Sequence, residues 1–286
     1  MGLQLITKSG SSIGFQLVVK LILVLFILFI MESGIILCGG EGRRLRPLTY
    51  YFQKTMIPVG RKQKPLLEYI VRLFSYHGIR ELFLLVGYKA EQIINYFGDG
   101  SRFNVNIIYI RDNPKYRGTA GVLCNAYRVR NDLAEKTLII YYGDILSSLN
   151  LKKVLRFHYN MDADVTLVLS KGYRIRVGVA HLGEENRVVK FEEKPKTDLN
   201  VATGILVMNG YILRRIEEII SIQNIVDLMG DLIPYLIKED YKVYGYISND
   251  FWYDIGSTER YEKLNNDTVD KEFNFIFKDL VGGEIL

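Results

Sequence analysis

Cysteine is scarce in this chain, with two in 286 residues, so there is no disulfide framework to read. Cys38 ends an apolar run and Cys124 lies in an apolar helical stretch. Two buried thiols far apart in sequence fit a reducing, cytoplasmic setting, and neither has metal-ligand spacing. Histidine is nearly as rare. His77, His158 and His181 stand apart from one another and from any acid pair, and each reads as a surface or helix-end residue, so imidazole chemistry has no candidate. Charge of one sign is also missing. Lys+Arg total 37 against Asp+Glu 32, a net +5 that suits a small polyanionic ligand and gives no call for nucleic acid; no basic run or RNA-binding motif is present. There is no internal repeat, no low-complexity linker and no C-terminal hexapeptide array, so a homo-oligomer would have to use the globular domain itself.

A long hydrophobic run is lacking as well. Ile13 to Met31 is strongly apolar, but Gln16 and Lys20 interrupt it, leaving eleven unbroken residues from Leu21 to Met31, short of the ~20 that a spanning helix needs. No small-x-small cleavage site follows, and the first strand begins almost at once, at Gly34. Residues 1–31 are therefore expected to be an extension outside the working domain, with Met31 as the natural first residue. The alternative, a membrane tether through residues 13–31 facing the cytoplasm, is the one reading that brings a membrane in.

What the chain does have is the stretch Gly39-Gly40-Glu41-Gly42-Arg43-Arg44-Leu45-Arg46-Pro47-Leu48-Thr49, directly after the apolar run Gly34-Ile35-Ile36-Leu37-Cys38. A buried strand running into three glycines reads as a loop whose backbone can approach a ligand closely, and the arginines beside it point to an anion, best a polyphosphate. Two familiar glycine loops are excluded. A dinucleotide fingerprint needs glycine where Leu45 stands and a helix where Pro47 forbids one. A Walker loop needs a Gly-Lys-Ser/Thr tripeptide, which follows neither Gly39 nor Gly40.

These residues resemble the signature of the sugar-1-phosphate nucleotidyltransferases: a strand, Gly-Gly-x-Gly, an arginine, Leu-x-Pro-Leu-Thr, and a lysine about ten residues after the arginine. Arg44 and Lys54 fill the two cationic positions, and the resemblance runs from about Ser33 to Asn266. It implies transfer of a nucleoside monophosphate from an NTP to a hexose 1-phosphate, glucose or mannose, with release of pyrophosphate, and it implies Mg²⁺. Asp144 in Tyr-Tyr-Gly-Asp and Asp254 in Trp-Tyr-Asp-Ile-Gly match the family's metal aspartates; hard carboxylate oxygens suit Mg²⁺, which bridges phosphates. In Phe191-Glu192-Glu193-Lys194-Pro195, Glu193 would bind sugar hydroxyls and Lys194 the sugar phosphate, with Gly178 and Thr203 completing the pocket. Asn113, Gly118 and Thr119 match the base-reading loop, while Gly39, Gly40 and Gly42 hold the triphosphate. The chain departs from the family pattern at Gln53 and Thr55, where prolines often flank the lysine, at Arg43, where many members carry threonine, and in a turn before Lys64 about two residues longer than usual. A catalytically silent, nucleotide-sugar-binding regulatory subunit is the rival reading; its mark would be loss of a metal aspartate or of the arginine, and neither is lost.

Apolar runs alternate with helical periodicity: strands at 34–38, 81–87, 104–110, 137–143 and 164–170, helices near 65–77, 89–97, 119–130 and 150–159. Such βαβ repetition predicts an α/β fold, Rossmann-like, with a mixed, mostly parallel sheet and helices on both faces, binding ligands at the carboxyl ends of the strands. Beyond Ser170 the pattern turns hairpin-like, with short strands near 176–182, 187–192, 202–208 and 242–247 and helices near 210–220 and 225–238. A single nucleotidyltransferase domain is expected over 32–286, with a nucleotide half at about 32–150, a sugar-phosphate half at about 151–260 and a C-terminal helix and tail at 257–286.

Overall fold

A computed structural model of the chain describes residues 32–171, 177–196, 198–220 and 225–280. The extension expected at 1–31 and the first residue of the strand expected at 176–182 lie outside the described residues. In chain order the strands are β1 (Glu32–Cys38), β2 (Pro58–Val59), β3 (Lys64–Pro65), β4 (Glu81–Val86), β5 (Asn106–Arg111), β6 (Thr137–Tyr142), β7 (Ile145–Ser147), β8 (Val165–Ser170), β9 (Val179–Leu182), β10 (Val188–Glu192), β11 (Val201–Asn209), β12 (Val243–Ser248) and β13 (Trp252–Asp254). The α-helices are α1 (Leu66–Tyr76), α2 (Ala90–Phe97), α3 (Thr119–Val129), α4 (Leu151–Asn160), α5 (Leu213–Ile220), α6 (Ile233–Lys238), α7 (Thr258–Glu262) and α8 (Asn266–Phe273).

Seven strands form the central sheet in the order β12-β8-β11-β6-β1-β4-β5. Only β11 runs against its neighbours, pairing antiparallel with both β6 and β8. β1 lies inside the sheet between β6 and β4, and its unbroken apolar run follows from burial on both faces: Ile35 and Ile36 are each fully buried yet enter two different apolar clusters. On one face α1, α2, α4 and α8 pack; on the other, α3, α5 and α6. Helix α1 buries Leu66, Leu67, Tyr69, Ile70, Val71, Leu73 and Phe74, each aliphatic side chain contributing about 1.5–3 kcal/mol.

The expected strands and helices up to Ser170 appear within a residue or two of their predicted bounds. The hairpin-like reading beyond Ser170 needs correction. Only β9 and β10 form a separate hairpin, whereas β11 and β12 join the main sheet. Sheet order is set by which edges remain unpaired, and β11 fills the gap between β6 and β8 with Ile205 to Met208 buried; alternation along one strand carries no such information. His158 also departs from expectation: it is buried, with Nδ1 facing the Thr166 hydroxyl at 2.9 Å and Nε2 facing Asn209 Oδ1 at 3.3 Å, and burial lowers its pKa.

A charged residue is enclosed in the core. Glu68 on α1 is 1% exposed and accepts hydrogen bonds from Arg72 Nε (2.7 Å) and the Tyr96 hydroxyl. Removing one member of a buried pair strands the other, so Glu68→Ala is expected to lower the unfolding free energy by about 3 kcal/mol, measured by urea denaturation; an unchanged midpoint would contradict this placement.

Candidate active site

The functional side chains gather where β1, β4, β5 and β6 end. The chain leaves β1 through the glycine loop, and Gly42 takes a left-handed conformation (φ +62°) that any side chain would strain. Its carbonyl accepts from Leu45 N (2.8 Å) and the Thr49 hydroxyl (3.0 Å), which winds residues 43–45 into a single 3₁₀ turn. That turn sorts the arginines. Arg43 pairs with Glu41 at 2.7 Å, and Arg46 lies 3.7 Å from the same carboxylate. Arg44 points into a cavity of about 540 Å³.

Lys54 reaches Asp144, which lines that cavity, from the 3₁₀ turn at residues 54–56, and Gln53, a departure from the family pattern, anchors that turn. Gln53 is 1% exposed; its Nε2 donates to the Cys38 carbonyl (2.5 Å), and its Oε1 accepts from the backbone N–H and hydroxyl of Thr55 (2.6 Å each). Gln53 N–H donates to Gln92 Oε1 at 2.6 Å. The polar pair Gln53 and Thr55 thus ties the lysine turn to the end of β1.

Asp144 follows β6 and Asp254 ends β13. They are 110 residues apart in sequence, but β7 and β13 pair antiparallel with Asp254 opposite Ile145, and Ile255 N–H donates to the Asp144 carbonyl at 2.9 Å. Both carboxylates line the cavity, together with Arg44, Thr203, Trp252 and Arg260. Each has a cation in contact: Lys54 with Asp144, and Arg260 with Asp254. Arg260 is a second residue missed in the sequence, because the Trp-Tyr-Asp-Ile-Gly motif stops short of it. Burial first, and then the Asp144 charge, raise the pKa of Asp254 above the usual carboxylate value, while Arg260, Lys54 and Arg44 pull it down. Gly256 leaves room for this crowding, since a Cβ there would lie 2.8 Å from Asp254 Oδ1 and 3.3 Å from Arg44 Nη2.

Of the other sequence candidates, Thr203 alone is among the residues lining this cavity. Asn113 Oδ1 accepts from Lys115 N–H (3.0 Å), closing the turn after β5. Gly118 packs against the Val226 carbonyl, 2.3 Å from where a Cβ would be. The Thr119 hydroxyl donates to Asp227 and accepts from Leu228 N–H, both at 2.7 Å. Thr203 is buried, donating to the Val168 carbonyl (2.9 Å) and accepting at its own carbonyl from the Trp252 indole (2.8 Å). Glu193 and Lys194 stand exposed beyond β10, 3.6 Å from each other, and the Phe191 ring fills the space over Gly178. Gly40 has open space around it. Asp112, one residue before Asn113, is a residue that the sequence motifs above do not single out. Its carboxylate lies across Gly39 and Gly87, 2.3 and 2.0 Å from where a Cβ would be, and burial alone raises its pKa.

A glycine loop, two cations and two paired carboxylates thus meet at the carboxyl edge of the sheet of an α/β protein. The chain belongs to the family described as nucleotidyl transferase, whose profile matches residues 33–271. It is 34% identical to the mannose-1-phosphate guanylyltransferase of Mycobacterium tuberculosis, covering 83% of this chain and 64% of that one. It is 31% identical to the UTP–glucose-1-phosphate uridylyltransferase of a Synechocystis strain, covering 84% and 64%. With the D-glycero-α-D-manno-heptose 1-phosphate guanylyltransferase of Aneurinibacillus thermoaerophilus it shares 32% identity over 82% of this chain and 97% of the relative. The chain thus spans about 64% of the length of the first two relatives. The crystal structure of HddC from Yersinia pseudotuberculosis has the same fold, with a TM-score of 0.62 at 22% identity over 82% of this chain and 97% of that one.

Two substitutions separate the anchoring network from surface charge. Gln53→Ala leaves buried donors and acceptors unmet and is expected to lower stability by about 2 kcal/mol, whereas Arg43→Ala leaves the urea midpoint unchanged. The reverse order would refute the role given to Gln53.

Proposed function

We propose that this chain transfers a nucleoside monophosphate from an NTP to a hexose 1-phosphate, glucose or mannose, releasing pyrophosphate. The observation that carries this reading is the convergence of Asp144, Asp254 and Arg44 on one cavity at the carboxyl edge of the sheet, with Lys54 paired to Asp144. A sugar-phosphate oxygen attacks the α-phosphorus in line, forming a new P–O bond as the bond to the leaving pyrophosphate breaks. No covalent enzyme intermediate is needed, so positioning and charge neutralisation dominate. The Gly39 to Gly42 backbone and the Arg44 guanidinium offer donors to the triphosphate, Lys54 offers a compact positive charge, and Lys194 with Glu193 would meet the sugar phosphate and hydroxyls from the hairpin.

The donor set suits magnesium. Two carboxylates with no third His, Cys, Asp or Glu grouped beside them among the described residues match an ion that takes one or two carboxylates and completes its shell with phosphates and water. When bound, Mg²⁺ would supply charge stabilisation at the phosphate oxygens of the transition state. Among the described residues no helix is long and apolar enough to cross a membrane.

The base is proposed to be guanine. The relatives differ in nucleotide, so their names do not decide it; support for guanine comes from Asp112. Its carboxylate has no hydrogen-bond or ion-pair partner among the described residues and sits beside the glycine loop. An ionised carboxylate only accepts. Guanine alone presents two adjacent donors, N1–H and the 2-amino group, on one edge; adenine pairs a donor with an acceptor, and uracil and thymine flank their N–H with carbonyls.

A pyrophosphate-release matrix of NTPs against glucose, mannose and N-acetylglucosamine 1-phosphates tests the reading. GTP is expected to be the preferred nucleotide, and Asp144→Ala or Arg44→Ala to lose on the order of 10²-fold or more in rate; full release by either variant would sink the catalytic assignment. Asp112→Asn, which turns one acceptor into a donor, is expected to shift preference from GTP to XTP. Because the carboxylate must be ionised to accept, and its pKa is raised, the KM for GTP should rise as pH falls through a value above the ordinary carboxylate range. A KM for GTP that is flat in pH and unmoved by Asp112→Asn would remove Asp112 from base reading.

A further inference from the structure

A second concavity lies at the opposite edge of the sheet. Arg80 directly precedes β4, and Arg102 to Asn104 precede β5, so these residues mark the amino ends of strands whose carboxyl ends carry the active site. A six-residue strand such as β4 spans roughly 20 Å, too far for a ligand here to touch the substrates. Arg72, Arg80, Arg102, Tyr76, Asn104 and Phe275 are among the residues lining a cavity of about 470 Å³.

The three guanidinium groups are not equivalent. Arg72 is neutralised by Glu68, whose other contact is the Tyr96 hydroxyl. Arg80 and Arg102 meet neutral oxygens. Arg80 Nη1 donates to the Ser75 carbonyl (3.0 Å), the Ser75 hydroxyl (2.8 Å) and the Asn104 carbonyl (2.8 Å), and the Asn104 amide turned with its oxygen inward adds another acceptor at 3.1 Å. Arg102 Nη2 donates to the Tyr96 carbonyl (2.7 Å), and its guanidinium lies over the Tyr96 and Phe103 rings at 5.1 and 4.7 Å. Among the described residues neither has a carboxylate partner. Ordinary surface arginines are free to sample solvent; these two are held by backbone oxygens and aromatic faces, so little side-chain entropy remains to be lost when an anion arrives. A planar fork with unfilled N–H groups matches phosphate oxygens.

We propose that this cavity is an anion site, separate from the active site, that takes a phosphate-bearing ligand between Arg80 and Arg102. The site is independent of the nucleotidyl-transfer reading. Two arginines contribute charge and direction, while Tyr76 and Phe275, packed edge to face with centroids 4.8 Å apart, add aromatic surface to the cavity lining.

Calorimetric titration of the full chain in low salt, with inorganic phosphate as the probe, tests it. The wild type is expected to bind, Lys54→Ala to bind with the same affinity, and Arg80→Gln/Arg102→Gln to bind at least roughly tenfold more weakly. Because Arg80 also ties the end of α1 to the turn before β5, Arg102→Gln alone serves as the second variant, with a smaller loss in the same direction. Guanosine 5′-monophosphate is the second probe. Tighter binding than phosphate that still depends on Arg102 assigns the site to a nucleotide, and equal binding assigns it to the phosphoryl group itself. No binding to the wild type, equal binding to the double and single variants, or loss on Lys54→Ala alone would overturn the site.

Discussion

The antiparallel pairing of β7 with β13 is the constraint on which the rest of the site depends. It is only three residues long on each side, yet it sets the Asp144 and Asp254 backbones next to each other across 110 residues of sequence. Two acidic groups so placed repel, and in a half-buried site that repulsion is screened less than it would be in water. Its imprint is the raised pKa of Asp254, to which burial contributes most and Asp144 next. A ligand-free protein can hold such a pair only with cations close by, and Lys54 and Arg260 occupy those places.

The surrounding loops serve this pairing. Lys54 reaches Asp144 because Gln53 and Thr55 lock its turn to the Cys38 carbonyl, at the end of the strand that also launches the glycine loop. Arg44 enters the cavity because Gly42 permits the left-handed turn and Gly256 leaves space beside Asp254. Trp252, two residues before Asp254, fixes the ribbon to β11 through the Thr203 carbonyl. Arg44, Asp144, Thr203 and Asp254 are thereby brought to one cavity through one short piece of sheet.

Much of this was legible in the chain because it is written locally. The β1 run predicts a buried strand and the glycines after it a tight loop, and βαβ periodicity predicts the mostly parallel sheet, since these signals depend on neighbours within a few residues. What could not be read is long-range. The insertion of β11 between β6 and β8 depends on which strand edges remain open, and the pairing of Arg260 with Asp254 depends on a helix that begins after the motif ends. Gln53 looked like a lost proline, and its four hydrogen bonds involve Cys38, Thr55 and Gln92, which only the fold brings together. Asp112 was hidden for the opposite reason: a carboxylate at a strand end is common, and only the two glycines beneath it show that space was kept for it.

Binding of Mn²⁺, followed by electron paramagnetic resonance in the presence of GTP, tests the paired carboxylates most directly. One bound ion per chain is predicted for the wild type, with loss of that ion in both Asp144→Asn and Asp254→Asn. Wild-type stoichiometry and affinity in either variant would contradict the view that β7 and β13 exist to bring these two side chains to one metal.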